Sequence, residues 1–213
     1  MNNKNFSIAG WIVAAGLAGM MFASGFQGGA DKVGVVDLNK AVQDSEMGKK
    51  NKEMLDGMVQ GRRSVIDFMQ THEVLTVEQA QKLKTLSLKT PLTDAEKKDL
   101  DKVKEDVIAA AKNFQVLNQK SNPTEDDRKL LQDYNQRIQG TRQLVQEWGP
   151  VFQEELQNKQ ADLINDSVKR ADAAIKDISK KDGYTTVFSA PAAAVYGAND
   201  LTEAVTKALN ATK

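Results

Sequence analysis

The feature that most limits how this chain can fold is the long separation between its β-prone segments. One such segment is residues 32–37, Lys-Val-Gly-Val-Val-Asp, and the others are residues 184–189 and 194–196. Nearly everything between residues 37 and 184 has the heptad pattern and charge content of long helices. Because a lone edge strand leaves its backbone groups unpaired, the distant strands must meet. The sequence therefore predicts a mostly α protein in which a helical hairpin arm projects from a small β body.

The shaft of this arm is predicted as an antiparallel coiled coil of residues 38–71 and 150–182. Apolar side chains in the second segment recur at alternating steps of four and three residues, as in a coiled-coil seam. They are Ile164, Val168, Ala171, Ile175 and Ile178. Gly149-Pro150 is predicted to begin this helix, because proline starts a helix but does not continue one.

Residues 72–149 are predicted to form a helical tip on the shaft. Thr76, Thr93 and Thr124 each stand three residues before an acid or an amide, which is the capping-box arrangement or a close variant of it. Together with breaks at Thr90-Pro91 and at residues 121–123, these starts predict helices near residues 76–89, 93–119 and 124–148.

Residues 31–37 and 183–213 are predicted to form the β body. Gly183 follows two lysines at the position where a helix ends on glycine, and Asn199-Asp200 is predicted to cap a final short helix. One chain supplies too few strands for a stable independent sheet. The body is therefore predicted to require oligomerisation.

Residues 1–30 differ in composition from the rest. Lys4 is their one charged residue, and residues 8–23 are apolar and rich in glycine and alanine. This run has the length of a signal-peptide core and is short for a membrane span, which needs about 20 apolar residues. Small residues after the apolar run predict cleavage near Gly25 or Ala30, and therefore export. The alternative is an anchor that stays uncleaved.

Composition bears on the classes of function. The chain has 29 basic and 29 acidic residues, so it carries no electrostatic footprint for nucleic acid. It has no cysteine, and His72 is its one histidine, predicted to be a solvated residue at a helix end. Outside residues 1–30 there is no glycine cluster of the kind that cradles phosphate. We therefore expect no enzyme activity, no cofactor and no metal.

The two ends of the chain resemble the Skp/OmpH family of periplasmic chaperones. The N-terminal part of the resemblance is Val-Gly-Val-Val-Asp-Leu-Asn-Lys at residues 33–40, followed by Val42, Ser45 and Gly48. The C-terminal part comprises residues 181–184, 187–188, 194–196 and 200–202, with Val205. The chain departs from well-known members in its neutral charge and in a longer middle segment that is broken by proline.

The resemblance implies a homotrimer in which strands from three chains form a barrel-like central body. It also implies helical arms around a cavity that holds unfolded outer-membrane proteins. The residues expected to form the oligomer contacts are Val33, Val35, Val36, Val187, Phe188, Val195 and Tyr196. The function predicted on this basis is an ATP-independent holdase. The rival is a structural coiled-coil protein of the cell envelope that acts as a spacer or tether.

Binding of the unfolded protein, the client, is predicted on the first shaft segment, residues 38–71. Methionine is flexible and polarizable, which suits contact with many apolar segments. The candidate residues are Met54, Met58, Met69 and Val65. The alternative for the methionines is that they fill the coiled-coil seam. Trp148 is either an exposed aromatic at a hinge or a packed residue between tip and shaft. Arg62-Arg63 and Lys49-Lys50 are either solvated faces or points of weak contact with a membrane surface or with acidic clients.

Overall fold

The computed structural model describes residues 32–190 and 198–211, and most of these residues are helical. The elements in chain order are β1 Val33–Val36, α1 Leu38–Asp44, α2 Glu46–His72, α3 Val77–Leu88, α4 Asp94–Asn118, α5 Glu125–Asp182, β2 Thr186–Ser189, β3 Asn199–Asp200 and α6 Thr202–Ala211. They belong to two compact units, and α2 and α5 contribute residues to both. Unit 1 contains the described residues up to 52 and from 162 onward, and unit 2 is residues 53–161.

Unit 1 is built on a three-stranded sheet with the strand order β2-β1-β3. Both outer strands run parallel to β1, with Val35 opposite Phe188 on one side and opposite Asp200 on the other. The prediction that the two ends of the chain meet in one sheet is therefore confirmed. The predicted strand at residues 194–196 lies outside the described residues. The sheet is open, with one neighbour each for β2 and β3 among the described strands.

The core of unit 1 lies between one face of the sheet and its helices. Its buried residues are Val36, Ala41, Ala171, Ala174, Leu201, Val205 and Leu209, and the predicted seam residues Ile175 and Ile178 pack against them. Gly34 lets the chain after β3 come close, since a Cβ built on it would stand 2.7 Å from Leu201 Cδ1. A larger residue at this position would require the Leu201 side chain to move.

The helix predicted to run unbroken from Leu38 is divided into α1 and α2. Ser45 ends α1, and its buried hydroxyl donates to the Val42 carbonyl at 2.6 Å while accepting from the Gly48 N–H at 3.0 Å. A Cβ built on Gly48 would lie 2.0 Å from the Val42 oxygen. The prediction of one helix was wrong here because it rested on the spacing of apolar residues. That spacing does not reveal a serine whose side chain bonds to backbone groups on both sides of a helix break.

Unit 2 packs parts of four helices around a shared apolar core. The buried residues are Val65 and Met69 of α2, Leu75 of the following loop, Ala80 and Leu83 of α3, Val103 and Val107 of α4, and Trp148 and Phe152 of α5. The segments of α2 and α5 run antiparallel, since Arg62 Nη2 lies 2.7 Å from Glu155 Oε2 and Arg142 bonds to Glu73 further on. A second cluster joins α4 to the start of α5 through Leu117 and Tyr134.

The three helix starts predicted in the middle of the chain are confirmed. Thr76 and Thr93 form complete capping boxes with Gln79 and Glu96. Thr124 forms the same reciprocal pair with Asp127, with the Thr124 N–H donating to Asp127 Oδ2 at 2.8 Å and the Asp127 N–H donating to Thr124 Oγ1 at 3.2 Å. The observed helices begin one residue after each threonine, because the cap residue itself has extended backbone angles.

The predicted helix boundary at Gly149-Pro150 was wrong, since α5 is one helix from Glu125 to Asp182 with Pro150 inside it. A proline within a helix costs roughly 3 kcal/mol. Trp148 and Phe152, on either side of it, are both buried in the core of unit 2, whereas Pro150 is exposed. Burial of two large aromatic side chains offsets the lost hydrogen bond, at about 1.5–3 kcal/mol for each large side chain.

The other end of α5 is as predicted. The last turn carries Lys180 and Lys181, and Gly183 follows with φ at +72°. The Tyr184 N–H donates to the Ser179 carbonyl at 2.9 Å, which is the Schellman arrangement and turns the chain toward β2.

Candidate functional site

One face of the sheet in unit 1 is open to contact. Side chains alternate along a strand, so the partners Val35 and Phe188 share a face, together with Val33. Val33 and Val35 are half-buried, and Phe188 is 36% exposed. We call these three residues the outer sheet face. An apolar face beside two strands that have no second neighbour among the described residues is a surface suited to a further protein chain.

The remaining residues expected at the oligomer contact are placed otherwise. Val36 is buried in the core of unit 1, and Val187 packs against that core. These two side chains thus serve the packing of the chain itself. Val195 and Tyr196 lie outside the described residues. The alternation along β1 and β2 is what separates the two groups, since it sends neighbouring residues to opposite faces.

The four candidate client-binding residues do not lie together on a surface. Met54 is 46% exposed, and Met58 is half-buried. Val65 and Met69 have 1% and 0% exposure, because they form the α2 side of the core in unit 2. Of the four, Met54 and Met58 have side chains that reach solvent, and Val65 and Met69 are packing residues in this structure.

Trp148 is a packed residue and not an exposed aromatic. It is 6% exposed, and its ring centroid lies 6.3 Å from that of Phe152. Lys84 of α3 stands over both rings, 4.7 Å from the centroid of Trp148 and 5.3 Å from that of Phe152, and Arg62 stands 5.6 Å from Phe152. Cations over aromatic faces cover the rings with the methylene parts of long side chains.

A groove of about 370 Å³ opens between α2, α3 and α4 in unit 2. Its lining residues are Ser64, Asp67, Phe68, Thr71, His72, Leu83, Ser87 and Lys104. The His72 ring packs against Phe68 at a tilt of 57°, with ring centroids 4.5 Å apart, and Arg63 pairs with Asp67 at 3.4 Å. Neither arrangement joins a nucleophile to a base. Within residues 32–190 and 198–211, no three metal-binding side chains stand close enough to share an ion.

Two of the helix starts carry an additional ion pair that the sequence analysis did not single out. Lys89 bonds to Glu96 and Lys120 bonds to Asp127, so each lysine stands seven residues before the acid of the cap. The bond from Lys89, followed by those from Thr93, lowers the pKa of Glu96 from 4.5 to about 2. Lys120 and Thr124 likewise lower the pKa of Asp127 from 3.8 to about 2. We call these two arrangements the lysine clasps. The recurring spacing of lysine, threonine and acid was the signal for them.

A second surface also went unrecognised in the sequence. The glutamines of α5 recur on one exposed face of the helix at steps of four and three residues. The predictions for α5 rest on the spacing of apolar residues, and this polar pattern has the same period.

None of the helices in the described part of the chain has the length and apolar character needed to span a bilayer. A family model described as outer membrane protein (OmpH-like) matches residues 32–209 of the chain. No curated protein and no solved structure gives a significant match.

Proposed function

The chain belongs to the OmpH-like family of periplasmic, non-enzymatic chaperones, and we propose that it is an ATP-independent holdase for unfolded outer-membrane β-barrel proteins. The observation that carries this proposal is the extent of the match. Residues 32–209 begin one residue before β1 and end in α6, so the match includes the sheet of unit 1 and all the helices of unit 2.

The proposed assembly is a homotrimer held through unit 1. The outer sheet face supports it, as do the edges of β2 and β3 that have no partner strand within residues 32–190 and 198–211. A partly exposed apolar face beside such edges gains from burial against another chain. Val33, Val35 and Phe188 are the proposed contacts among the described residues. Val195 and Tyr196 are retained in the proposal on the sequence alone.

The proposed arm has residues 38–71 and 150–182 as its shaft and residues 72–149 as its tip. The antiparallel pairing of α2 with α5 in unit 2 supports a hairpin, through Arg62 and Glu155. We propose that Met54 and Met58 contact the client. Residues 1–30 stay a predicted signal peptide, with cleavage near Gly25 or Ala30.

The chemistry of unfolded β-barrel proteins explains why a helical surface is enough to bind them. A β-barrel strand alternates apolar and polar residues, so the unfolded chain exposes apolar groups that aggregate in water. Many weak contacts along a helical surface cover such groups without a deep pocket or a nucleotide. Because the chain is electrically balanced, this binding depends on apolar contact more than on charge, and it should respond only mildly to salt.

The test is an aggregation assay with a β-barrel protein diluted from urea, with and without a threefold excess of the chain, at low and at high salt. We expect the chain to suppress light scattering at both salt concentrations. Absence of suppression would contradict the holdase and favour the spacer or tether. Suppression that is lost at high salt would retain the holdase and contradict its apolar basis.

A further inference from the structure

The glutamines of α5 form a continuous pattern on one face of the helix. They are separated by alternating steps of four and three residues, and Pro150 occupies the one position of the series that is not glutamine. The glutamine stripe consists of Gln132, Gln136, Gln139, Gln143, Gln146, Gln153, Gln157 and Gln160. α5 contains no other glutamine between Glu125 and Asp182. All eight belong to unit 2.

The amide groups of the stripe are available to a partner. The first seven residues are exposed and Gln160 is half-buried. Gln143 donates from Nε2 to Glu147 Oε1 at 2.9 Å, and the other seven make no side-chain hydrogen bond to another described residue. Each free carboxamide offers two donors and one acceptor oxygen, and it carries no charge.

Pro150 adds a backbone hydrogen-bond acceptor to the stripe. It has no N–H, so the carbonyl of Gln146, four residues earlier, lacks the donor that a helix normally supplies. Gln146 is itself a stripe residue. Where proline interrupts the glutamines, the Gln146 carbonyl therefore offers an amide oxygen, as the glutamine side chains do.

We infer that the glutamine stripe binds the backbone of an extended segment of the unfolded client. This inference rests on the proposed function and names the part of the client that is recognised. A side-chain carboxamide has the hydrogen-bonding groups of a peptide unit, and an unfolded chain presents peptide units whatever its sequence. Recognition of this kind is indifferent to client sequence and charge, as a holdase for many clients requires.

The dimensions of the stripe agree with this partner. From residue 132 to residue 160 a helix rises about 42 Å at 1.5 Å per residue. An extended chain covers that distance in roughly 13 residues at about 3.3 Å each. Successive glutamines are about 5 Å apart along the axis, and peptide groups facing one way along a strand are about 6.6 Å apart. The three rotatable bonds of glutamine are sufficient to accommodate this difference.

Two other partners fit the stripe less well. Steps of four and three also occur in a coiled-coil seam, but a seam requires apolar side chains that fill holes in the partner helix, and the stripe has none. An anionic or cationic partner would require charge, which is also lacking in the stripe. Contact with a second copy of the chain is therefore an outcome that the experiment must detect.

The experiment compares two fourfold alanine variants of the full chain. The stripe variant changes Gln136, Gln139, Gln153 and Gln157, which have no internal partner. The matched control changes Gln60, Gln70, Gln81 and Gln115, which are exposed glutamines of unit 2 on α2, α3 and α4. Alanine at exposed helical positions retains the helix. Far-UV circular dichroism and light-scattering mass are measured for both variants, and suppression of β-barrel aggregation is titrated.

We expect the stripe variant to require at least about tenfold more chain to reach half-suppression of aggregation. A tenfold loss corresponds to about 1.4 kcal/mol of binding free energy, shared among four weak hydrogen bonds. The control should match the unchanged protein. Equal suppression by both variants would overturn the inference while leaving the holdase in place. A loss of assembled mass in the stripe variant alone would also overturn it, because the stripe would then bind a second copy.

A peptide measurement tests the stripe independently of chaperone activity. The probe is an uncharged Thr-Gly peptide of about 13 residues, the length that the stripe spans, and its counterpart is methylated on alternate backbone nitrogens. We expect the first peptide to shift the side-chain amide signals of stripe glutamines in NMR spectra and the methylated one to leave them unchanged. Equal shifts, or none with either peptide, would overturn the inference even if the unchanged chain suppresses aggregation.

Discussion

The structure of unit 1 depends on contacts between residues far apart in the chain, whereas the helix starts of unit 2 depend on residues close together. In unit 1, β1 pairs with strands from the far end of the chain, and the fit depends on backbone approaches at Gly34 and Gly48. In unit 2, helices begin at threonine caps whose partners stand three residues away. A Cβ built on Gly57, Gly140 or Gly149 of this unit meets nothing within 4 Å, and one built on Gly61 makes ordinary contacts. Unit 1 is therefore expected to be intolerant at particular backbone positions, and unit 2 to be governed by its apolar core and by its helix starts.

The largest expected effect contrasts one glycine from each unit. Gly48→Ala places a methyl group against the Val42 carbonyl, which is backbone and belongs to the tight break at Ser45. We expect this change to lower the free energy of unfolding by about 4 kcal/mol, at the upper end of overpacking. Gly57→Ala meets nothing within 4 Å in the same helix and should raise stability by about 0.5–1 kcal/mol. Urea denaturation measures both, and equal effects would remove the contrast between the units.

The second effect separates packing from client contact within α2. Met69→Ala empties a site of 0% exposure in the core of unit 2 and should cost about 3 kcal/mol. Met54→Ala removes an exposed side chain and should change stability by less than about 0.5 kcal/mol. The same two variants in the aggregation assay should show weaker suppression for Met54→Ala at unchanged stability. If Met54→Ala destabilises the chain as much as Met69→Ala, Met54 is a packing residue and not a client contact.

The smallest effect tests the lysine clasps of unit 2 through their dependence on pH. The pKa values of Glu96 and Asp127 are lowered to about 2 in the folded chain. Groups with lowered pKa stabilise the folded state above their unfolded values, 4.5 and 3.8, and lose that contribution as the pH falls toward 2. The double variant Glu96→Gln with Asp127→Asn should therefore have a flatter profile of melting temperature between pH 5 and pH 2. The lysines of both clasps are exposed and the acids are half-buried, so added salt should reduce the difference. An unchanged profile would show that the clasps make no contribution to folding.

Local signals in the sequence determined the mostly helical fold, the three threonine helix starts, the glycine end of α5 and the presence of strands at both ends. The residues responsible lie within a few positions of the structure they specify, because capping hydrogen bonds join residues that are close along the chain. The residues of the outer sheet face were also identified, but not their separation from Val36 and Val187, which depends on which face of the sheet the helices cover.

Tertiary packing decided the rest. Pro150 stays inside α5 because Trp148 and Phe152 find a core made by three other helices, and spacing along the chain does not report that gain. Val65 and Met69 are buried because α3 and α4 pack against α2. The sequence made Val65 a candidate for client contact and left Met69 between client contact and packing, and the neighbouring helices decided where both side chains lie. A sequence states which side chains prefer to leave water, and only the folded chain determines which of them have neighbours to pack against.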